Sequence, residues 1–103
     1  VTIDLDPQGN ETRALFSIAG TLAAKRVLEI GCGDGRLTWR YAHLPARVVG
    51  IDPDPVKIER ARHTTPAHFA RKVEFYATGL EQFQSIVGTP LNGFDLAILA
   101  WSL

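Results

Sequence analysis

The stretch Val27-Leu28-Glu29-Ile30-Gly31-Cys32-Gly33-Asp34-Gly35-Arg36-Leu37 decides how this chain is read. Val27 to Ile30 is a short apolar run, the pattern of a strand covered on both faces. It runs straight into glycines at alternate positions, Gly31, Gly33 and Gly35. Glycine there lets the backbone turn sharply and bring its N–H groups against a ligand. After the loop, Leu37, Tyr41 and Leu44 mark one face of a helix, which Pro45 ends. The N-terminus of such a helix favours a negative group.

Outward from this segment the same alternation continues. Upstream, Asp6-Pro7-Gln8-Gly9 reads as a turn, Asn10 as a helix cap followed by Glu11, and Leu15, Ile18 and Leu22 as one helical face. Downstream, Val48, Val49 and Ile51 form strand two, which ends at Asp52-Pro53. Pro55 suits the first turn of a helix running to about Thr64, with Glu59 and His63 one turn apart. Val73 to Ala77 alternates more clearly, with Val73 and Phe75 on one face, as in an edge strand with a wetter side. A helix over Leu80 to Val87, a turn at Asn92-Gly93 and a fourth strand from Phe94 to Ala100 complete the pattern. Repeated strand and helix imply right-handed crossovers and an α/β fold built on a parallel sheet.

The chain has 103 residues, 46% of them apolar, enough for one small core. Its 11 basic and 11 acidic residues balance without runs of one sign, so nothing in the charge indicates nucleic acid or an anionic membrane as partner. No apolar run approaches a membrane span. The lone Cys32 excludes an internal disulfide and a thiolate zinc site, and a reducing cytoplasmic interior is expected. Cys32 reads as a small loop filler rather than a nucleophile. His43, His63 and His68 lack metal-ligand spacing and read as surface residues. Trp39 and Trp101 read as core or pocket wall.

Asp52 lies 21 residues after Gly31, and its two acceptor oxygens suit the paired hydroxyls of a ribose. The competing reading of Asp52 is a helix cap, and that of the glycine cluster a tight turn. Nicotinamide dinucleotides use a related geometry, but their G-x-G-x-x-G fingerprint needs a third glycine where this chain has Arg36. Val27 to Gly35 instead resembles motif I of class I S-adenosylmethionine-dependent methyltransferases, with Glu29 as its acid. Val49 to Asp54 resembles the family's second motif.

The resemblance implies a Rossmann-like open parallel sheet with helices on both faces, strand order 3-2-1-4, cut short after strand four. It implies S-adenosylmethionine as cofactor, held by Glu29, Gly31, Cys32, Gly33 and Gly35 around the loop. Asp52 is implied on the ribose, Pro53 against adenine, Thr78 and Gly79 where the family often reads the adenine amino group, and Ala100 at the end of strand four. Thr78 stands where the family often has an acid, and its plainer reading is a last strand residue. The likeness to bacterial small-molecule methyltransferases implies a small-molecule acceptor. No residue is assigned as a general base, because in the family such groups often lie beyond strand four. An oxidoreductase fragment and a non-catalytic nucleoside-binding module remain the alternatives. With strand four at an open sheet edge, the chain is expected to be a partial domain, to self-associate and to be inactive alone.

Overall fold

The structure is a computed structural model, and it describes residues 2–5, 21–87 and 92–100. Five parallel strands form one sheet: β1 (Thr2–Leu5), β2 (Arg26–Ile30), β3 (Arg47–Asp52), β4 (Val73–Ala77) and β5 (Leu96–Ala100), in the order β1-β5-β2-β3-β4. Between them lie α1 (Thr38–Tyr41), α2 (Pro55–Thr64), a short 3₁₀ turn at Ala67–Phe69, and α3 (Leu80–Val87). Strands two to five reproduce the expected order 3-2-1-4. The expected open edge does not exist. β1 pairs with β5 from Thr2↔Ala97 to Leu5↔Ala100, filling the place beside strand four. The expected turn at 6–9 and the residues Asn10, Leu15 and Ile18 lie outside the described residues, as does Trp101.

Strand periodicity divides the core. On one face Val27, Val48, Val73, Phe75, Leu96 and Ile98 pack with Tyr41, Ala42, Ile58 and Ala61. On the other, Leu28, Val49 and Ile51 pack with Phe83, Leu80 and Phe94. So α1 and α2 cover one face and α3 the other, and β4 shows the wetter, alternating pattern of an edge strand. Burying such aliphatic and aromatic side chains contributes roughly 1.5–3 kcal/mol each before entropy is charged against it. Among the described residues no helix is long and apolar enough to cross a membrane.

α2 begins as the sequence implies, with Asp54 accepting from the N–H groups of Val56 and Lys57 and Pro55 in the first turn. The cap is therefore Asp54, not Asp52. α1 departs from expectation: it is a single turn of four residues. Gly35, at φ +87°, delays its start, Pro45 closes it, and Thr38, Trp39 and Tyr41 between them are weak helix formers. Leu37, Tyr41 and Leu44 still face the core. A one-turn element has almost no macrodipole, so the expected attraction for an anion at its start falls away.

Candidate cofactor site

Parallel register lines up the strand ends. Ile30 lies beside Ile51 on one side and Leu99 on the other, and Asp52 lies beside Ala77. Gly31, Asp52, Thr78 and Ala100 therefore form one row along the carboxyl edge of the sheet, where ligands of open α/β folds bind. Close packing fixes this row. A side chain on Gly31, which has φ +80°, would come within 2.3 Å of Ala100 O. Thr78 N–H donates to Asp52 O at 3.0 Å, joining the ends of β3 and β4.

Five of the loop's N–H groups are hydrogen-bonded within the protein, where the sequence leads one to expect them to face a ligand. Those of Gly31 and Cys32 both donate to Ile51 O, at 2.9 and 3.1 Å. Gly33 donates to Asp52 Oδ2 at 3.0 Å, Gly35 to Cys32 O at 3.1 Å, and Arg36 to Asp34 Oδ1 at 3.2 Å. Those five donors are committed within the protein, which leaves a pyrophosphate poorly served there. What the rim offers is acceptors. Asp52 is 6% exposed, and its second oxygen accepts from Asp54 N–H at 2.9 Å. Each carboxylate oxygen retains a further lone pair.

The other expected site residues fall in two groups. Pro53 is exposed beside Asp52, and Thr78 and Gly79 are half-buried just past β4. A Cβ on Gly79 would meet nothing within 4 Å, so that position has open space around it. Thr78 Oγ1 lies 3.2 Å from Gln82 Oε1. Cys32 and Glu29 point down instead of out. Cys32 Sγ packs toward Gly50, where a Cβ would lie 3.0 Å from it, and burial pushes its thiol well above the usual range. That accords with a loop filler and not a nucleophile.

Glu29, expected beside the cofactor, lies deepest of these residues. It is fully buried on the α1 face and accepts from Thr38 Oγ1 at 2.7 Å and from Tyr41 OH, both at Oε1. Among the described residues its Oε2 has no partner. Burial pushes the carboxyl up to about 7, opposed by the two hydroxyls. Sequence reasoning missed Thr38 and Tyr41; their one signal is a spacing that places them on the loop's far side from Glu29.

The remaining polar residues are peripheral. His43, His63 and His68 are exposed, and His63 pairs with Glu59 at 3.1 Å. Trp39 stacks on Phe69, with ring centroids 6.0 Å apart, and meets Phe75 edge-on at 5.5 Å. Open hollows of about 410 Å³ beside Trp39 and about 420 Å³ beside Tyr76 are not lined by Asp52, Thr78 or Ala100.

Comparison with known proteins bears on this arrangement. The chain is 33% identical over 78 residues to a ubiquinone biosynthesis O-methyltransferase of Rhodopseudomonas palustris, covering 75% of this chain and 28% of that protein. It is 34% identical over 74 residues to the 23S rRNA (uracil(1939)-C(5))-methyltransferase of Xanthomonas campestris, covering 72% of this chain and 17% of that one. The chain thus spans less than a third of the length of these curated relatives. Among solved structures, an RNA methyltransferase from Salinibacter ruber in complex with S-adenosyl-L-homocysteine superposes with a TM-score of 0.69 at 26% identity, covering 95% of this chain and 61% of that one. An S-adenosylmethionine-dependent methyltransferase from Mesorhizobium loti shares the fold, with a TM-score of 0.69 at 24% identity over 92% of this chain and 41% of that one. The profile of the methyltransferase domain matches residues 22–102, from the helical end before β2 through the end of β5, and the chain belongs to that family.

Proposed function

We propose that the chain is the cofactor-binding part of an S-adenosylmethionine-dependent methyltransferase acting on a small-molecule acceptor. The observation that carries this reading is the site's polarity. Five of its loop N–H groups are used internally, while the Asp52 carboxylate, 6% exposed at the end of β3, keeps acceptor capacity. S-adenosylmethionine presents an ammonium, two ribose hydroxyls and an adenine amino group as donors suited to such a rim, against one carboxylate that needs donors of its own. A dinucleotide pyrophosphate asks for the opposite. Asp52 holds the ribose hydroxyls, Pro53 lies against adenine, and Thr78 and Gly79 border its edge. Gly31, Cys32, Gly33 and Gly35 shape the loop under the methionine part, which Ala100 closes from β5.

The cofactor supplies an electrophilic methyl group on a sulfonium; the protein's task is binding and alignment of the acceptor. The ubiquinone O-methyltransferase relatives and the absence of charge runs favour a small organic acceptor, and the lone buried Cys32 suits the cytoplasm. The second reading is an RNA base, favoured by the rRNA methyltransferase relatives. Calorimetry with S-adenosylhomocysteine and NADH tests the cofactor. Tight binding of the first and weak binding of the second is expected, and NADH binding as tight or tighter overturns the reading. Methyl transfer to small phenols against transfer to ribosomal RNA fragments separates the two acceptors.

A further inference from the structure

The loop over Gly31 to Leu37 has two ends, and one buried carboxyl, at its β2 end, is hydrogen-bonded to the element at the other. Glu29 belongs to β2, before the loop, while Thr38 and Tyr41 belong to α1, after it. Both hydroxyls donate to the same oxygen, Glu29 Oε1. All three residues are fully buried. We infer that Glu29, Thr38 and Tyr41 form a clasp that fixes α1 against β2 and thereby positions the glycine loop for the cofactor, with Tyr41 and Thr38 as positioning residues that do not touch it. This rests on the reading of the loop as a cofactor site.

Three observations lead to the clasp. The loop contains Gly31, Gly33 and Gly35, all at positive φ. Glycine loses the most conformational freedom on ordering, so such a loop stays in one shape only if other contacts hold it. Asp52 ties its middle through Gly33, but α1, a single turn with no side-chain cap, has little stability of its own to hold the far end. Second, the three polar groups sit among Val27, Val48, Leu96 and Ile98, where an apolar trio would pack with no desolvation cost. Third, among the described residues Glu29 Oε2 has no donor, so the cluster as described is not tuned for maximal stability. Among the described residues its hydrogen bonds go to one element, the one that must be held.

The test uses Tyr41→Phe and Thr38→Val, with Thr38→Ser as the rescuing change. Amide hydrogen exchange on the ligand-free protein is the direct readout. Each deletion of a hydroxyl should speed exchange in peptides covering 31–37 about tenfold, while β4 peptides keep wild-type rates. S-adenosylhomocysteine affinity should fall about three- to tenfold in both variants, and Thr38→Ser should restore most of it. Ile58→Val, which trims the same core outside the clasp, should leave that affinity unchanged. Exchange that rises equally across the whole sheet, or a loop and an affinity untouched by both deletions, overturns the clasp. If wild type itself fails to bind S-adenosylhomocysteine, the cofactor reading fails, and loop exchange still decides the clasp.

Discussion

Gly33 N–H donates to Asp52 Oδ2 at 3.0 Å across 19 residues of sequence, so the glycine loop is tied to the end of β3 by the carboxylate proposed to hold the ribose. One side chain thus shapes the loop and, on the proposed reading, also supplies acceptors to the ribose.

Asp52→Ala removes both functions. Hydrogen bonds to a charged group are worth roughly 1.5–3 kcal/mol, so S-adenosylhomocysteine affinity should drop on the order of tenfold to a hundredfold. Asp52→Asn keeps one acceptor oxygen and should lose less. Calorimetry alongside thermal unfolding checks this. An alanine variant that is folded and binds normally would leave Asp52 a loop tie only.

Gly31 and Gly79 separate packing from openness. Gly31→Ala puts a Cβ 2.3 Å from a backbone carbonyl at a positive φ, so β5 or the loop must move. The expected loss is at least about 2 kcal/mol in urea unfolding. Gly79→Ala meets nothing within 4 Å and should change stability by less than about 1 kcal/mol.

Most of this fold is legible in sequence because its strands are bounded by strong punctuation. Asp52-Pro53 ends β3, Gly31 ends β2 and Asn92-Gly93 precedes β5, so the residues of the carboxyl edge announce themselves. β1 does not: Thr2-Ile3-Asp4-Leu5 alternates too briefly to stand out, and its partner lies some 95 residues away. The length of α1 escapes because helical spacing continues through Leu44 although the backbone does not. The place of Glu29 depends on strand parity. It shares a face with Val27, and that face is covered by α1, so an acid two residues before the loop ends up beneath it.

Glu29 makes stability depend on pH. Its carboxyl is pushed from 4.5 up to about 7 by burial, so the folded state binds its proton more tightly than the unfolded chain does. That contribution is fully present below about pH 4.5, is lost as pH rises toward 7, and changes no further above it. A shift of this size corresponds to about 3 kcal/mol between the extremes. Glu29→Gln should flatten this segment of the profile. Urea midpoints at pH 5, 6, 7 and 8 for both proteins provide the check, and parallel profiles would show that Glu29 does not titrate in this window.

β1 shields the apolar strand β5 from other chains. β5 is apolar from Leu96 to Ala100, and an uncovered strand of that kind pairs with other chains. In the structure β2 covers one side of β5 and β1 the other, leaving as the outer edge a strand of only four residues. Short edge strands are among the devices that limit edge-to-edge association. Removing residues 1–5 should therefore expose the backbone of β5 and convert the protein into a self-associating species. The 103-residue chain should sediment as a smaller, less aggregated species at the same concentration. A substitution in β1 tests the same point without shortening the chain. Ile3→Pro removes an N–H from a four-residue strand and should shift sedimentation in the same direction as the deletion. Equal sedimentation of all three proteins would show that β1 does not protect this edge in solution.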